Sequence, residues 1–392
     1  MIKNSYSENQ PALDLEEEFE NDQEKINTPF DPKQVDIFPK KFTISSLLEH
    51  LTHNELDLSP DFQRRANLWD EKRKSRLIES ILLRIPLPSF YFKEDENGNF
   101  SVVDGLQRLC AIFHFIKYSE LNSATGATPP LNPLRLTDLQ YLKDLERKEF
   151  NELERQFQRR INELEIEANI IRSTTPKEVM FNVFARLNQG GLPLSAQEIR
   201  NAIYPGIWRK KIRDIANSKE FKLATEGKIP TDRQQDIEMV LRFFALYALD
   251  VKGQRPPDQI LDKFLNDTVE IRLVKWTDSD WLKAEKSFFK ALQSVNEIFG
   301  EHAFRKSHSS EPRTPVNKGI FESQLLVIST MTPLEVKKLI NLRKNVSKSF
   351  GSLIDDPSSA LSKALRSGTG HAESSNVRII EFRKIFTKVL NA

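Results

Sequence analysis

Apolar residues recur three and four positions apart in TISSLLEHL (Thr43–Leu51), which predicts a helix with Thr43 as its cap. A short strand is expected around Leu56–Leu58. Trp69-Asp70 then opens a second helix, because Leu77, Ile78, Ile81 and Leu82 keep helical spacing. The IPLP that follows cannot continue it: Pro86 and Pro88 lack an amide donor and bias the chain toward extended forms. SFYFKEDENGNFSVV predicts a hairpin, with two apolar runs flanking the turn residues Asn97-Gly98. Directly after Val103 comes DGLQR, followed by LCAIFHFI with a helical apolar face. Asp104-Gly105 therefore sits where a strand hands over to a helix.

Residues 119–135 read as a loop, and 138–160 as a charged helical stretch. Leu164, Ile166, Ala168 and Ile170 alternate with polar positions, the period of a strand. Pro176–Leu187 is expected as the next helix, ending before NQGG. Ser195 caps AQEIRNAIY, which stops at Pro205-Gly206. From Ile207 to Leu342 the pattern is predominantly helical, with loops at 252–257 and 305–318. Order is expected to begin near Phe38. Residues 1–37 read as a disordered acidic arm, with a short docking helix at Leu13–Phe19 as the minor reading. The fold class is α+β: residues 38–206 form a mixed domain, and 207–392 a mostly helical one. No internal repeat of about 20–50 residues is visible.

Charge changes this picture more than size does. The 392 residues carry a net charge of only +2. Residues 1–40 hold ten acids and four lysines, net −6, so the rest of the chain carries +8. From Glu335 onward there are eleven basic and five acidic residues. A basic body suggests a polyanionic partner, and an arm of opposite sign could lie across it as a nucleic-acid mimic. The lone cysteine, Cys110, excludes a disulfide framework and any multi-cysteine zinc site. No apolar run approaches the ~18–20 residues of a membrane span, and MIKNSYSENQ lacks a secretory core, so a cytoplasmic location is expected. His50 and His53 lie one turn apart with no third ligand placed near them, and His114 in its apolar helix reads as a core residue.

DGLQR is the sharpest candidate for chemistry. A helix start offers free amides and partial positive charge, Gly105 lets a ligand approach the backbone, and Arg108 carries a forked donor for phosphate. Asp104 would orient a water or hold a metal; the plainer reading makes it a helix cap. Two further segments carry similar chemistry. Gln63-Arg64-Arg65 precedes Trp69, as a phosphate clamp or an ordinary solvated turn. Arg186 and Asn188 lead into Gly190-Gly191, whose amides would cradle an anion or simply end a helix. For Gln197, Glu198, Arg200 and Asn201 on the next helix, a solvated face is the default expectation.

Taken in order, PDFQRR…W, LIESILLRIPLPSFYF, VVDGLQRLCAI and VFARLNQGGLPLSAQEIRNAIYPG resemble the amino-terminal domain of GmrSD-type restriction endonucleases, over roughly residues 38–206. The resemblance implies a ParB/sulfiredoxin-like fold followed by a helical domain, in a bacterial restriction or anti-phage defence system. In that family DGQQR is linked to nucleotide binding and hydrolysis. Carried over, it nominates Asp104, Gln107 and Arg108 as catalytic and Gly105 as nucleotide-binding, with Leu106 in place of the first glutamine. Gln63 and Arg64, and Arg186, Asn188, Gly190 and Gly191, match its other two elements as phosphate-binding groups. The cofactor so implied is an NTP with Mg²⁺, with Asp104 as metal ligand; the partners are a nucleotide, DNA, and a separate nuclease or defence subunit. The histidine arrangement of the family's HNH nuclease domain is not found in this sequence. The alternative class is a non-catalytic DNA-binding or interaction module.

Overall fold

The computed structural model describes residues 15–16, 36–58, 69–125, 129–177, 179–181, 195–204, 206–231, 233–249, 254–257, 259–308 and 312–392. The chain forms two compact units. One comprises Thr28–Leu194, and the other Ser195–Ala392 together with Met1–Asn27. The first is built on a mixed sheet and the second on helices, so the fold class is α+β.

The sheet contains β1 (Ile37–Thr43), β2 (Leu56–Asp57), β3 (Phe90–Glu94), β4 (Phe100–Asp104) and β5 (Glu165–Ile171), in the order β1-β5-β3-β4-β2. β3 runs antiparallel to β4 and parallel to β5, which places it in the middle. Alternation decides the buried face: Ile166, Ala168 and Ile170 of β5 join Phe90 and Phe92 of β3 in the core. Phe42, Phe92 and Phe100 meet there edge-on or tilted, with ring centres 5.4–6.3 Å apart. Asn97-Gly98 makes the expected turn, with Gly98 at φ +83° and Asp95 accepting the amides of Asn97 and Asn99.

The helices covering this face begin as the sequence predicts. Thr43 accepts the Ser46 amide at the start of Ile44–Thr52, and Asp70 accepts that of Arg73 at the start of Glu71–Leu82. Two expectations are corrected. The helix after Gly105 runs from Leu106 to Thr125, with one non-helical residue at Lys117, so 119–125 is helix rather than loop. Leu121, fully buried, anchors that extension. Residues 138–160 are not a continuous helix: short 3-10 turns at Lys143–Leu145 and Phe150–Glu152 precede the helix Arg155–Asn162. The cause is Glu79, whose buried carboxylate accepts the amides of Gln140, Tyr141 and Leu142 at 2.6–2.9 Å. Burial works against its charge, but the three donors outweigh it and hold its pKa below the usual value. Three converging amides require a loop, since a helix would direct them along its own axis.

Beyond Pro176 the chain is helical at 177 and 179–181, and the rest of the predicted helix to Leu187 lies outside the described residues.

In the helical unit, Gln235–Tyr247, Asp278–Phe299 and Lys318–Ser329 bury an aromatic cluster of Phe243, Phe244, Trp281, Phe288 and Phe321. Of the acidic arm, Leu15 and Glu16 are described, and they belong to this unit. Leu15 is buried and forms a β-bridge with Val316, rather than part of a helix. The Glu16 carboxylate takes Lys306 Nζ at 2.5 Å and Asn317 Nδ2 at 2.9 Å.

Candidate functional site

β4 ends at Asp104, and the chain turns into the helix Leu106–Thr125 through Gly105 at φ +93°. A Cβ at Gly105 would lie 2.2 Å from Phe90 Cδ1, so both the dihedral and the space demand glycine. One turn later Arg108 folds back over this bend. Its guanidinium lies on the Phe90 ring, 4.3 Å from the centre. Nη1 donates to the Pro88 carbonyl, and Nη2 donates to Ser89 O at 3.2 Å and Asp104 Oδ2 at 3.1 Å. The end of the IPLP segment and the residue after it are thus fastened to the bend through the Pro88 and Ser89 carbonyls. Burial lowers the pKa of Arg108, and the neighbouring Asp104 charge opposes that shift.

Asp104 is the more available partner: its side chain is 37% exposed against 14% for Arg108. Oδ2 is held by Arg108, while Oδ1 has no hydrogen-bond partner among the described residues. Gln107 is half-buried in the first helical turn, where backbone amides have no carbonyl within the helix. Leu106 packs against the sheet core, so the position at which this chain departs from DGQQR faces apolar neighbours.

The sheet adds two residues that the motif does not contain. Tyr91 pairs with Asp104 across the antiparallel register and with Asn169 across the parallel one. Burial raises the Tyr91 phenol pKa and the Asp104 charge adds to it, while a hydrogen bond with the Asn169 side chain works the other way. The Asn97-Gly98 turn alone could not have found Tyr91, because an irregularity between Tyr91 and Phe92 shifts the register by one residue and brings Tyr91, not Phe90, opposite Asp104. Gln63, Arg64, Arg186, Asn188, Gly190 and Gly191 lie outside the described residues.

Behind the bend, the helices Glu71–Leu82 and Leu106–Thr125 enclose Lys74, Cys110 and His114. His114 Nε2 lies 2.7 Å from the Asn132 carbonyl and Nδ1 lies 3.3 Å from Lys74 Nζ. A carbonyl only accepts, so Nε2 carries the hydrogen and Nδ1 accepts from the ammonium. His114 is the satisfied core residue that its apolar helix suggested. Burial pushes the Cys110 thiol well up, which keeps it protonated and unreactive.

The QEIRN helix Ala196–Ile203 departs from expectation. Gln197, Glu198, Arg200 and Asn201 are all buried, not solvated. Arg200 donates to Gln197 Oε1, Asn266 Oδ1 and Asp262 Oδ1 at 2.6–2.8 Å, and Asn201 reaches Gln234. Nearby, Glu238 is paired with Arg242 and Lys318. Burial opposes its charge, but Lys318, Arg242 and Arg200 prevail and bring its pKa down to about 2. A fully paired interior network of this kind holds the helices in one arrangement.

A shallow depression lined by Asn217, Lys219, Lys222, Leu223, Glu226 and Gly227 lies in the helical unit and contains none of the sequence-predicted residues. Among the described residues, no three His, Cys, Asp or Glu side chains gather as a metal site. Nor is any helix among them long and apolar enough to cross a membrane.

With this geometry in hand, residues 44–205 match the family described as GmrSD restriction endonuclease, N-terminal domain. Over that stretch, somewhat less than half of the chain, the sequence is similar to the GmrSD N-terminal domain. The match points to a restriction or defence system. No curated protein and no solved structure matches the chain.

Proposed function

We propose that this protein is the nucleotide-responsive component of a DNA restriction system, with the bend at Asp104–Arg108 as its nucleotide site. The observation that supports this reading is Asp104 itself. One carboxylate oxygen is fixed by Arg108, and the other has no partner among the described residues. The acid stands at the mouth of a glycine turn that opens into a helix. A bend of this type leaves backbone amides free for phosphate oxygens and lets them come close.

Each residue has a distinct task. Gly105 permits the approach. Gln107 presents an amide side chain that orients phosphate or an attacking water. Arg108 has most of its fork committed to Pro88, Ser89 and Asp104, so it acts first as a strut and offers its remaining donors to the ligand. Mg²⁺ accompanying a nucleotide needs only one or two carboxylates besides phosphate oxygens, and Asp104 Oδ1 fits that demand. When bound, the metal would neutralise charge on the phosphates. Gln63, Arg64, Arg186, Asn188, Gly190 and Gly191 complete the proposed phosphate contacts. In this reading nucleotide occupancy is passed to DNA, or to a nuclease subunit acting on it.

The test compares purified wild type with Asp104→Asn and Gln107→Ala, all shown folded by circular dichroism. Thermal midpoints and phosphate release are measured with ATP and GTP in the presence of Mg²⁺. The expected result is nucleotide-dependent stabilisation of the wild type that weakens in both variants. Equal response of all three proteins would sink the proposal.

A further inference from the structure

Most interior cations of the helical unit are matched by carboxylates: Arg200 by Asp262, Arg242 by Glu238, Arg305 by Glu226, and Arg378 by Glu322. On the surface, one stretch gathers cations with no acid among them. The helices Pro333–Asn341 and Arg343–Asp355 meet at Leu342, and between positions 337 and 348 the chain carries Lys337, Lys338, Arg343, Lys344 and Lys348 without a single acid. Val336, Leu339, Val346 and Phe350 are buried and fix the orientation of both helices. All five cations stand on the exposed faces.

Three details make this a field of free charge. Lys337, Arg343, Lys344 and Lys348 form no ion pair among the described residues. Glu335, the nearest acid in sequence, is committed to the Thr332 amide and hydroxyl in a capping box at 2.7–2.8 Å, so it neutralises none of them. Lys338 donates to the Leu390 carbonyl at 2.5 Å, near the end of the helix Ala372–Asn391, which also carries the exposed Lys388. Like charges held together without counter-ions cost free energy in the isolated protein. A polyanion recovers that cost, because each phosphate neutralised releases condensed counter-ions.

We infer that the corner formed by residues 337–348, with Lys388, is a docking surface for the phosphate backbone of duplex DNA. This inference rests on the DNA partner proposed above and locates its contact. Four lysines and a single arginine on the exposed faces of two successive helices suit sequence-independent contact with phosphates better than base readout. The surface therefore supplies affinity and leaves recognition to other parts of the system.

The experiment titrates fluorescent duplex DNA with the full chain at a series of salt concentrations. It compares wild type, a patch variant (Lys337→Gln, Arg343→Gln, Lys344→Gln, Lys348→Gln) and a control variant on another exposed helix face (Lys286→Gln, Lys290→Gln). The altered side chains are exposed in both variants, and matching thermal midpoints check that they fold alike. The patch variant is expected to bind at least tenfold more weakly near physiological salt. Its slope of log affinity against log salt should be shallower by about 3.6, about 0.9 for each of the four phosphates that the variant no longer neutralises. The control should follow wild type. If wild type binds DNA and the patch variant binds equally well, the assignment of this surface is overturned while the DNA reading stands. If wild type binds no DNA, the DNA reading falls and this inference with it. Binding of phosphatidylserine vesicles in place of DNA would likewise overturn it.

Discussion

Arg108 holds Asp104 from one helical turn away, Nη2 to Oδ2 at 3.1 Å, while its guanidinium covers the Phe90 ring that forbids a side chain at Gly105. The bend, the acid and the preceding loop are therefore one mechanical unit. Changing any of its parts should disturb the others.

Lysine at position 108 keeps the charge but cannot bridge two loop carbonyls and a carboxylate at once. Arg108→Lys should lower stability by about 1–2 kcal/mol, on the order of one or two net hydrogen bonds. Urea denaturation measures the loss, and hydrogen exchange should show it concentrated around Pro88 and Ser89.

Gly105→Ala combines a left-handed backbone with a Cβ placed 2.2 Å from Phe90 Cδ1. The backbone contributes about 1 kcal/mol and overpacking about 1–3 more, so a total of about 2–4 kcal/mol is expected in denaturant titrations. A Phe90→Leu background should reduce the penalty by relieving the contact. Equal penalties in both backgrounds would show that the dihedral alone is responsible.

His114 gives the sheet unit a pH dependence. Burial first, then the Lys74 ammonium, lowers its folded pKa below the ordinary 6.5, against an opposing hydrogen bond to the Asn132 carbonyl. The unfolded chain therefore binds this proton more readily than the folded one. The stability linked to His114 is complete above pH 6.5 and declines as the pH falls from there through the folded pKa. Denaturation midpoints between about pH 5 and pH 8 should show this slope, and His114→Gln should remove that component.

Arg200→Met would leave Asp262, Asn266 and Gln197 without their shared donor in the interior of the helical unit. Removing one partner from a buried pair costs about 3–5 kcal/mol. The expected outcome is a large fall in thermal stability. A decrease under about 1 kcal/mol would mean that water replaces the guanidinium.

Glu16 carries a smaller prediction. Its contacts to Lys306 and Asn317 are partly exposed, and such pairs contribute at most about 1 kcal/mol. Glu16→Ala should leave global stability nearly unchanged while trypsin trims the first 27 residues faster. An unchanged cleavage rate would show that the bridge between Leu15 and Val316 is sufficient to dock the arm.

Local rules are legible wherever one residue decides the outcome. Thr43, Asp70 and Ser195 cap the helices that their positions predict, Asn97-Gly98 turns the hairpin, and β5 follows its alternation. Partners distant in sequence are not legible. Nothing within residues 138–142 reveals that Glu79, about sixty positions earlier, collects their amides and breaks the expected helix. QEIRN reads as solvated because four polar residues on one short helix normally face water. Asp262, Asn266 and Gln234, which take it inside, lie some 30–70 residues further on. At the candidate site the motif identifies Asp104 and Arg108. Tyr91 and Asn169 become visible only once the strand registers are known.

The stretch recognised as the family's domain and the stretch that packs as one body end at different places. The first runs to residue 205, while the sheet unit closes at Leu194. Between these limits lies the helix Ala196–Ile203, whose Arg200 and Asn201 are held by residues of the helical unit. A fragment cut at the family limit would expose a guanidinium and two carboxamides shaped for an interior it no longer has. The helical remainder would be left with a slot lined by stranded acceptors. The segment that matches the family is thus not a separable part, and a cut that respects the packing belongs at Leu194.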